Sequence, residues 1–148
     1  MTVHTRAAEK PSRLSPGKLL LALRILSVLS VLNVIYQGTT AGQLLIRVRG
    51  SLELHAIGAI VLHVLTGLTM IAAALLWFSA RTSLWPSVIA VLVFIATFCQ
   101  AALGQESTLF VHVPLALGIL LGAAWLMTWA WMQPMSSGRH EATPTHRR

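Results

Sequence analysis

The sequence predicts an all-α integral membrane protein built as a four-helix bundle, and two observations lead to this fold class. Hydrophobic residues make up 55% of the 148-residue chain and charged residues only 10%, whereas a soluble domain usually carries about 25% charged residues. The charges are also unevenly placed, because four long stretches contain no Asp, Glu, Lys or Arg. Each stretch can supply the about 20 apolar residues that one membrane-spanning helix needs.

The predicted spans follow these four charge-free stretches. They lie at Lys18–Thr40, Glu53–Ser79, Leu84–Gly104 and Leu109–Gln133. Helices are expected because an open sheet could not pair its backbone groups in lipid, and the alternating pattern of a membrane barrel strand is missing. Residues 18–133 therefore form one transmembrane domain, and the polar tails, residues 1–17 and 134–148, are predicted to be disordered.

The basic residues predict orientation and location. Of the 11 Lys and Arg residues, all but Arg47 and Arg49 lie in the N-terminal region, the loop after the second span or the C-terminal tail. Because Lys and Arg accumulate in cytoplasmic loops, we expect a multi-pass plasma-membrane protein with both termini cytoplasmic. The net charge of +7 then reflects topology in a lipid bilayer, and no nucleic-acid-binding motif suggests such a partner.

The two halves of the chain share a loose repeat. Each half has a Gly-Gln pair followed by a histidine: Gly42-Gln43 with His55, and Gly104-Gln105 with His112. The repeat predicts two helix hairpins related by a pseudo-two-fold axis along the membrane normal. Four glutamines near these histidines either bridge helices or lie at the rim: Gln37, Gln43, Gln100 and Gln105. The single cysteine, Cys99, excludes an internal disulfide.

His55 and His112 are the candidate metal ligands. Each lies about one turn from the outer start of its helix, so at about 1.5 Å rise per residue the two have similar depth. Two imidazoles that face each other across a bundle can bind one iron from both sides, and bundle interiors hold such cofactors. The pair predicts a heme b site, with a structural hydrogen-bonding role as the alternative. Zinc is less favoured because its tetrahedral site needs more ligands.

Other residues near the pair have candidate roles. Arg47 and Arg49 could pair with heme propionates or be solvated loop arginines. Glu53 could hydrogen-bond a ligand or loop group or be exposed. His63 has no partner donor on the fourth helix, so we interpret it as a satisfied buried histidine, with a proton relay as a minor alternative. Small residues are expected to make room for the macrocycle: Gly58, Ala59, Gly67, Gly118, Gly122 and Ala123.

These motifs resemble a known family. His55 in a His-x-x-Gly pattern, His112 within Val-His-Val-Pro-Leu and the Gly-Gln turns are similar to one four-helix half of the heme A synthase family. They also resemble small uncharacterised four-helix membrane proteins of actinobacteria, and the resemblance runs from Ile25 to Trp131. It implies that His55 and His112 are the paired histidines that the family carries on its second and fourth helices at the outer side.

The chain also departs from the family. The second bundle and the outer-loop cysteine pair of many members are missing, and Glu53 stands two residues before the histidine instead of three. A complete two-site synthase is therefore not expected.

Two classes of function follow from the sequence. The first is a bis-histidine b-type cytochrome or heme-handling protein at the outer leaflet, with a quinone or a redox protein as candidate partner. The second is a non-catalytic multi-pass protein without cofactor, such as a subunit of a larger complex or a homo-oligomer. An enzyme acting on heme or a quinone is less favoured, because the sequence has no nucleophile–base set and no catalytic metal cluster.

Overall fold

Four long helices make up the fold in the computed structural model, which describes residues 15–135. They are α1 (Pro16–Leu45), α2 (Ser51–Ala80), α3 (Trp85–Ala102) and α4 (Leu109–Met132), with a short 3-10 helix, Glu106–Thr108, before α4. All four are long and apolar enough to cross a membrane, and the described residues contain no β-strand. The predicted all-α four-helix membrane fold is confirmed.

The helix boundaries differ from the predicted spans mainly in α1. This helix continues through Gly42 and Gln43 and ends at Leu45, and the chain turns at Arg47, which has a φ of 57°. Residues 16 and 17, which the sequence assigned to the tail, form the first turn of α1, because proline is well suited to the first helical position. The rest of the predicted tail disorder lies outside the described residues, except for residues 15, 134 and 135.

The helices form a ring: each packs against the helix before or after it in sequence, and α1 closes the ring by packing against α4. Over these helices, neither diagonal pair, α1 with α3 or α2 with α4, brings Cα atoms within 8 Å of each other. The two histidine-bearing helices, α2 and α4, therefore oppose each other across the centre. We call the end with the α1–α2 and α3–α4 loops the histidine end, and the end with the α2–α3 loop the Arg81 end.

The core consists of two apolar layers at different depths. The layer nearer the histidine end takes one buried residue from each helix: Val34, Leu62, Val93 and Ile119. The layer nearer the Arg81 end is larger and includes Leu23, Leu76, Ala90 and Leu126. Between the layers, four buried hydroxyl residues, Ser27, Ser30, Thr66 and Thr69, border a cavity of about 10 Å³, close to the minimum for one water molecule.

Glycines set the distance between neighbouring helices. A Cβ atom at Gly122 would lie 2.5 Å from Cγ2 of Val93, and one at Gly67 would lie 3.1 Å from the ring of Phe94. Small residues at such crossings let helix backbones approach closely in a membrane. The expectation that these glycines make room for a macrocycle is therefore wrong, because their open side is already occupied by α3.

Candidate functional site

His55 and His112 lie at the same end of the bundle. His55 follows the start of α2 at Ser51 by one turn, and His112 follows the start of α4 at Leu109 by a similar distance. Both side chains are half-buried. Because α2 and α4 run in the same direction on opposite corners of the ring, the two histidines have similar depth on facing helices.

The ring of His112 is held by the end of α3. Its Nδ1 atom lies 3.0 Å from the carbonyl oxygen of Gln100, which is in the last turn of α3, where carbonyls have no partner inside their own helix. A carbonyl oxygen can only accept, so this hydrogen bond requires the proton on Nδ1 and leaves a lone pair on Nε2. The hydrogen bond therefore fixes the orientation of the His112 ring and pairs a backbone carbonyl at the end of α3.

The ring of His55 is held by α1. Its Nδ1 atom lies 2.9 Å from Oγ1 of Thr40, a residue only 2% exposed. The same hydroxyl lies 3.1 Å from the carbonyl oxygen of Gln37 and 3.2 Å from that of Tyr36. Because a hydroxyl has one proton, donation to either carbonyl leaves the oxygen to accept from Nδ1, and Nε2 of His55 then also carries a lone pair.

Gln37 adds a second link between α1 and α2. Its Nε2 atom donates to the backbone carbonyl of His55 at 3.1 Å, so Gln37 bridges helices, as one of the two sequence interpretations had it. Gly58 makes this link possible, because a Cβ there would lie 3.1 Å from Nε2 of Gln37 and 2.8 Å from Cε1 of Tyr36. Gly58, like Gly67 and Gly122, lies at a contact between helices, so these three glycines serve helix packing and do not supply the space that the sequence analysis expected of them.

The two hairpins treat their histidines in parallel ways. In each hairpin the Nδ1 atom of the histidine is bonded to the preceding helix, through Thr40 in α1 or Gln100 in α3. This shared arrangement is the structural counterpart of the loose repeat. It leaves a lone pair on each of the two Nε2 atoms, through which each histidine can bind a metal ion.

The remaining predicted site residues lie at the rim or away from the pair. Arg47 and Arg49 are exposed in the α1–α2 loop, and Glu53 is exposed on α2. His63 lies deeper on α2, where its Nδ1 is 2.7 Å from the carbonyl of Ala59 and its ring meets the Phe98 ring at 4.4 Å between centroids. Within residues 15–135, no three His, Cys, Asp or Glu side chains come together as a metal-binding group.

The sequence analysis missed Thr40 and the backbone carbonyl of Gln100. Threonines in membrane helices commonly bond the carbonyl of their own preceding turn, so Thr40 gave no distinct signal, although it shares a helix face with Gln37. Two buried oxygens in this half of the described bundle have no hydrogen-bond partner. Oε1 of Gln100 lies at the histidine end, and Oδ1 of Asn33 lies deeper, beside the apolar layer that contains Val34.

Comparisons with known proteins assign no family to this arrangement: no protein-family profile, curated protein or solved structure matches the chain. The fold and the site themselves define the class. It is a multi-pass helical membrane protein with paired, oriented histidines near one end of a four-helix bundle.

Proposed function

We propose that this protein is a b-type heme-binding membrane protein in which His55 and His112 would hold the heme iron. One observation carries the proposal: each ring donates or can donate its Nδ1 proton to the neighbouring helix, which leaves both Nε2 lone pairs for iron. Metal-ligating histidines characteristically use their second nitrogen in this way, and the bond orients the ring and raises its basicity.

The donor set fits the requirements of heme. Heme would supply a one-electron couple there, and iron held by two histidines favours electron transfer over oxygen chemistry. The protein's own residues orient the ligands through Thr40 and Gln100. Arg47 and Arg49, exposed in the loop that leads to α2, are suited to pair with propionates.

The proposed setting follows from topology and resemblance. The arginine and lysine distribution favours a plasma-membrane protein with cytoplasmic termini, so the histidine end would lie at the outer leaflet. The likeness to one half of the heme A synthase family supports the same ligand pair. A quinone in the bilayer or a redox protein at the outer face is the partner that an electron-transfer role requires.

An absorption spectrum tests the proposal. The full-length protein, purified in detergent from heme-replete cells, should show a Soret band and a sharp alpha band after reduction. His55→Ala and His112→Ala should each remove most of the bound heme. His63→Ala is the matched control, because His63 is a membrane histidine on the same helix whose ring bonds the carbonyl of Ala59, and it should retain the spectrum. A wild-type protein without a Soret band would overturn the proposal.

The same hydrogen bonds favour a second candidate, a non-catalytic multi-pass protein or accessory subunit without cofactor. In that case the bonds from His55 to Thr40 and from His112 to Gln100 only tie each hairpin together. Both alanine variants would then lower the melting temperature of a colourless protein, and a stable partner would co-purify with it.

A further inference from the structure

His63 has one ring nitrogen that the fold leaves unused. Its Nδ1 atom lies 2.7 Å from the carbonyl oxygen of Ala59, and because a carbonyl oxygen only accepts, the proton of the neutral ring is on Nδ1. Nε2 therefore carries a lone pair. This nitrogen has no hydrogen-bond partner in the described part of the chain, and the neighbouring side chains do not enclose it completely.

His63 lies at the edge of a lipid-facing surface. It follows the first residue of α2, Ser51, by twelve residues, which is about 18 Å along the helix, in a span that is long and apolar enough to cross the membrane. Its neighbours Ile60 and Val64 are 66% and 57% exposed, as expected of residues that contact lipid. An acceptor at this depth has no water to pair with, so it needs a donor from a protein or from the bilayer.

Two aromatic rings of α3 lie beside His63. The Phe98 ring is 4.4 Å from the His63 ring between centroids, at an interplanar angle of 74°, and Phe94 packs edge-on against Phe98 at 5.0 Å. A Cβ at Gly67 would lie 3.1 Å from Phe94, so α2 and α3 are in close contact at this level. Phe98 itself is 54% exposed. The surface therefore presents an acceptor nitrogen and a partly exposed aromatic ring side by side.

Few membrane components can donate a hydrogen bond at this depth. Acyl chains have no donor, the ester groups of phospholipids only accept, and water is scarce in the hydrocarbon region. A quinol has hydroxyl donors on a flat ring, and its apolar tail keeps it within the bilayer. We propose that His63 and Phe98 form a binding site for a quinol, whose hydroxyl donates to Nε2 of His63 while its ring packs against Phe98.

The quinol site deepens the proposed function and rests on it for its purpose, because an electron-transfer protein in the bilayer needs a redox partner. The reduced form is favoured over the quinone, since Nε2 can only accept and a quinone has no hydroxyl to donate. His63 stands eight residues after His55, about 12 Å along α2. The site therefore shares no residue with the histidine pair, and the two proposals can be tested separately.

Thermal unfolding of the full-length detergent-purified protein under anaerobic conditions tests the site. Decylubiquinol should raise the melting temperature. Its dimethyl ether, which keeps the ring and the tail but has no donor, should bind about fivefold more weakly, which corresponds to about 1 kcal/mol for one neutral hydrogen bond. His63→Phe should abolish this difference. Tyr36→Phe, which removes a hydroxyl from an exposed position on α1, is the matched control and should preserve it.

A second variant tests the ring contact apart from the hydrogen bond. Phe98→Ala, at an exposed position, should weaken the binding of both ligands, and unchanged binding of both would overturn the proposal even if His63→Phe does not fold. Equal affinity of the wild type for the two ligands would overturn it, as would a difference that persists in His63→Phe. A dimer in solution that His63→Phe dissociates would also overturn it, because a second copy of the chain would then pair with Nε2.

The two proposals fail in different ways. A wild-type protein that has no Soret band but distinguishes the two ligands as expected would contradict only the heme proposal. A protein that has the Soret band but binds both ligands equally would contradict only the quinol site.

Discussion

The Nδ1 atom of His112 lies 3.0 Å from the carbonyl oxygen of Gln100, and this hydrogen bond meets two structural requirements. A carbonyl at the end of a membrane helix needs a donor from outside the helix, and an imidazole that binds a metal needs a fixed orientation and tautomer. His55 meets the same need through the hydroxyl of Thr40. Because that partner is a side chain, the first hairpin allows a test that the second does not.

The first prediction concerns the replacement of Thr40. Thr40→Val keeps the shape of the side chain and removes the acceptor for Nδ1 of His55, so the ring loses its orientation. We expect heme retention to fall by about tenfold and the alpha band of the reduced protein to shift or broaden. Titration of the heme-free protein with hemin, followed in the Soret region, measures the change.

Thr40→Ser is the control, since serine keeps the hydroxyl, and it should retain affinity close to that of the wild type. A loss of about 1 kcal/mol in stability for Thr40→Val would be usual for a hydrogen bond between membrane helices. If Thr40→Val and Thr40→Ser bind hemin equally well, Thr40 does not orient the ligand, and its contact with His55 is only structural.

The second prediction concerns the contact between Gly122 of α4 and Val93 of α3. Gly122→Ala brings a Cβ within 2.5 Å of Cγ2 of Val93, so either the Val93 side chain or the α3–α4 spacing must change, at a cost of about 1–3 kcal/mol. Thermal unfolding in detergent should show a lower melting temperature. Val93→Ala combined with Gly122→Ala should recover much of the loss, because the double variant removes the clashing methyl group.

Gly118 provides the matched control on the same helix. A Cβ there would meet nothing within 4 Å, so Gly118→Ala should leave the melting temperature unchanged or raise it slightly. Equal destabilisation by both glycine replacements would show that helix flexibility, and not the contact with Val93, sets the effect.

The sequence predicted the four helices and the depth of the histidines because both depend only on the spacing of residues along a single helix. The charge-free stretches located all four helices, and the distance of each histidine from a helix start gave their common depth. Contacts between helices could not be predicted in the same way. Gly122 was interpreted as space for a cofactor, because the sequence around it does not show that Val93 of α3 packs against it. Gly42 also failed to mark a helix end, because backbone hydrogen bonds have no competing water within a membrane.

The third prediction concerns Arg24, whose contacts with α4 the sequence did not reveal. Its Nε and Nη2 atoms donate to the carbonyls of Ala130 and Gln133 at 3.0 and 2.6 Å, and its guanidinium lies over the ring of Trp131. The arginine therefore binds the C-terminal end of α4, where a cation is favourable. Arg24→Met should destabilise the protein by about 2 kcal/mol, since two carbonyls lose a charged donor.

Chemical denaturation in mixed micelles measures this change. Arg24→Lys should recover only part of the stability, because an ammonium cannot donate to two carbonyls in the geometry of a guanidinium. Lys18→Met, at an exposed position on α1, is the control and should have little effect. A similar loss in Lys18→Met would indicate that the total positive charge matters more than the bonds to α4.

Orientation in the membrane is the fourth prediction, and it decides which side of the membrane the histidine end faces. In a Cys99→Ser background, Ser107→Cys introduces a thiol beside α4 at the histidine end and Ser83→Cys introduces one in the α2–α3 loop, both at exposed positions. Because basic residues favour the cytoplasmic side, a membrane-impermeant maleimide should label Ser107→Cys in intact cells. It should label Ser83→Cys only after permeabilisation. The reverse pattern would place His55 and His112 on the cytoplasmic side.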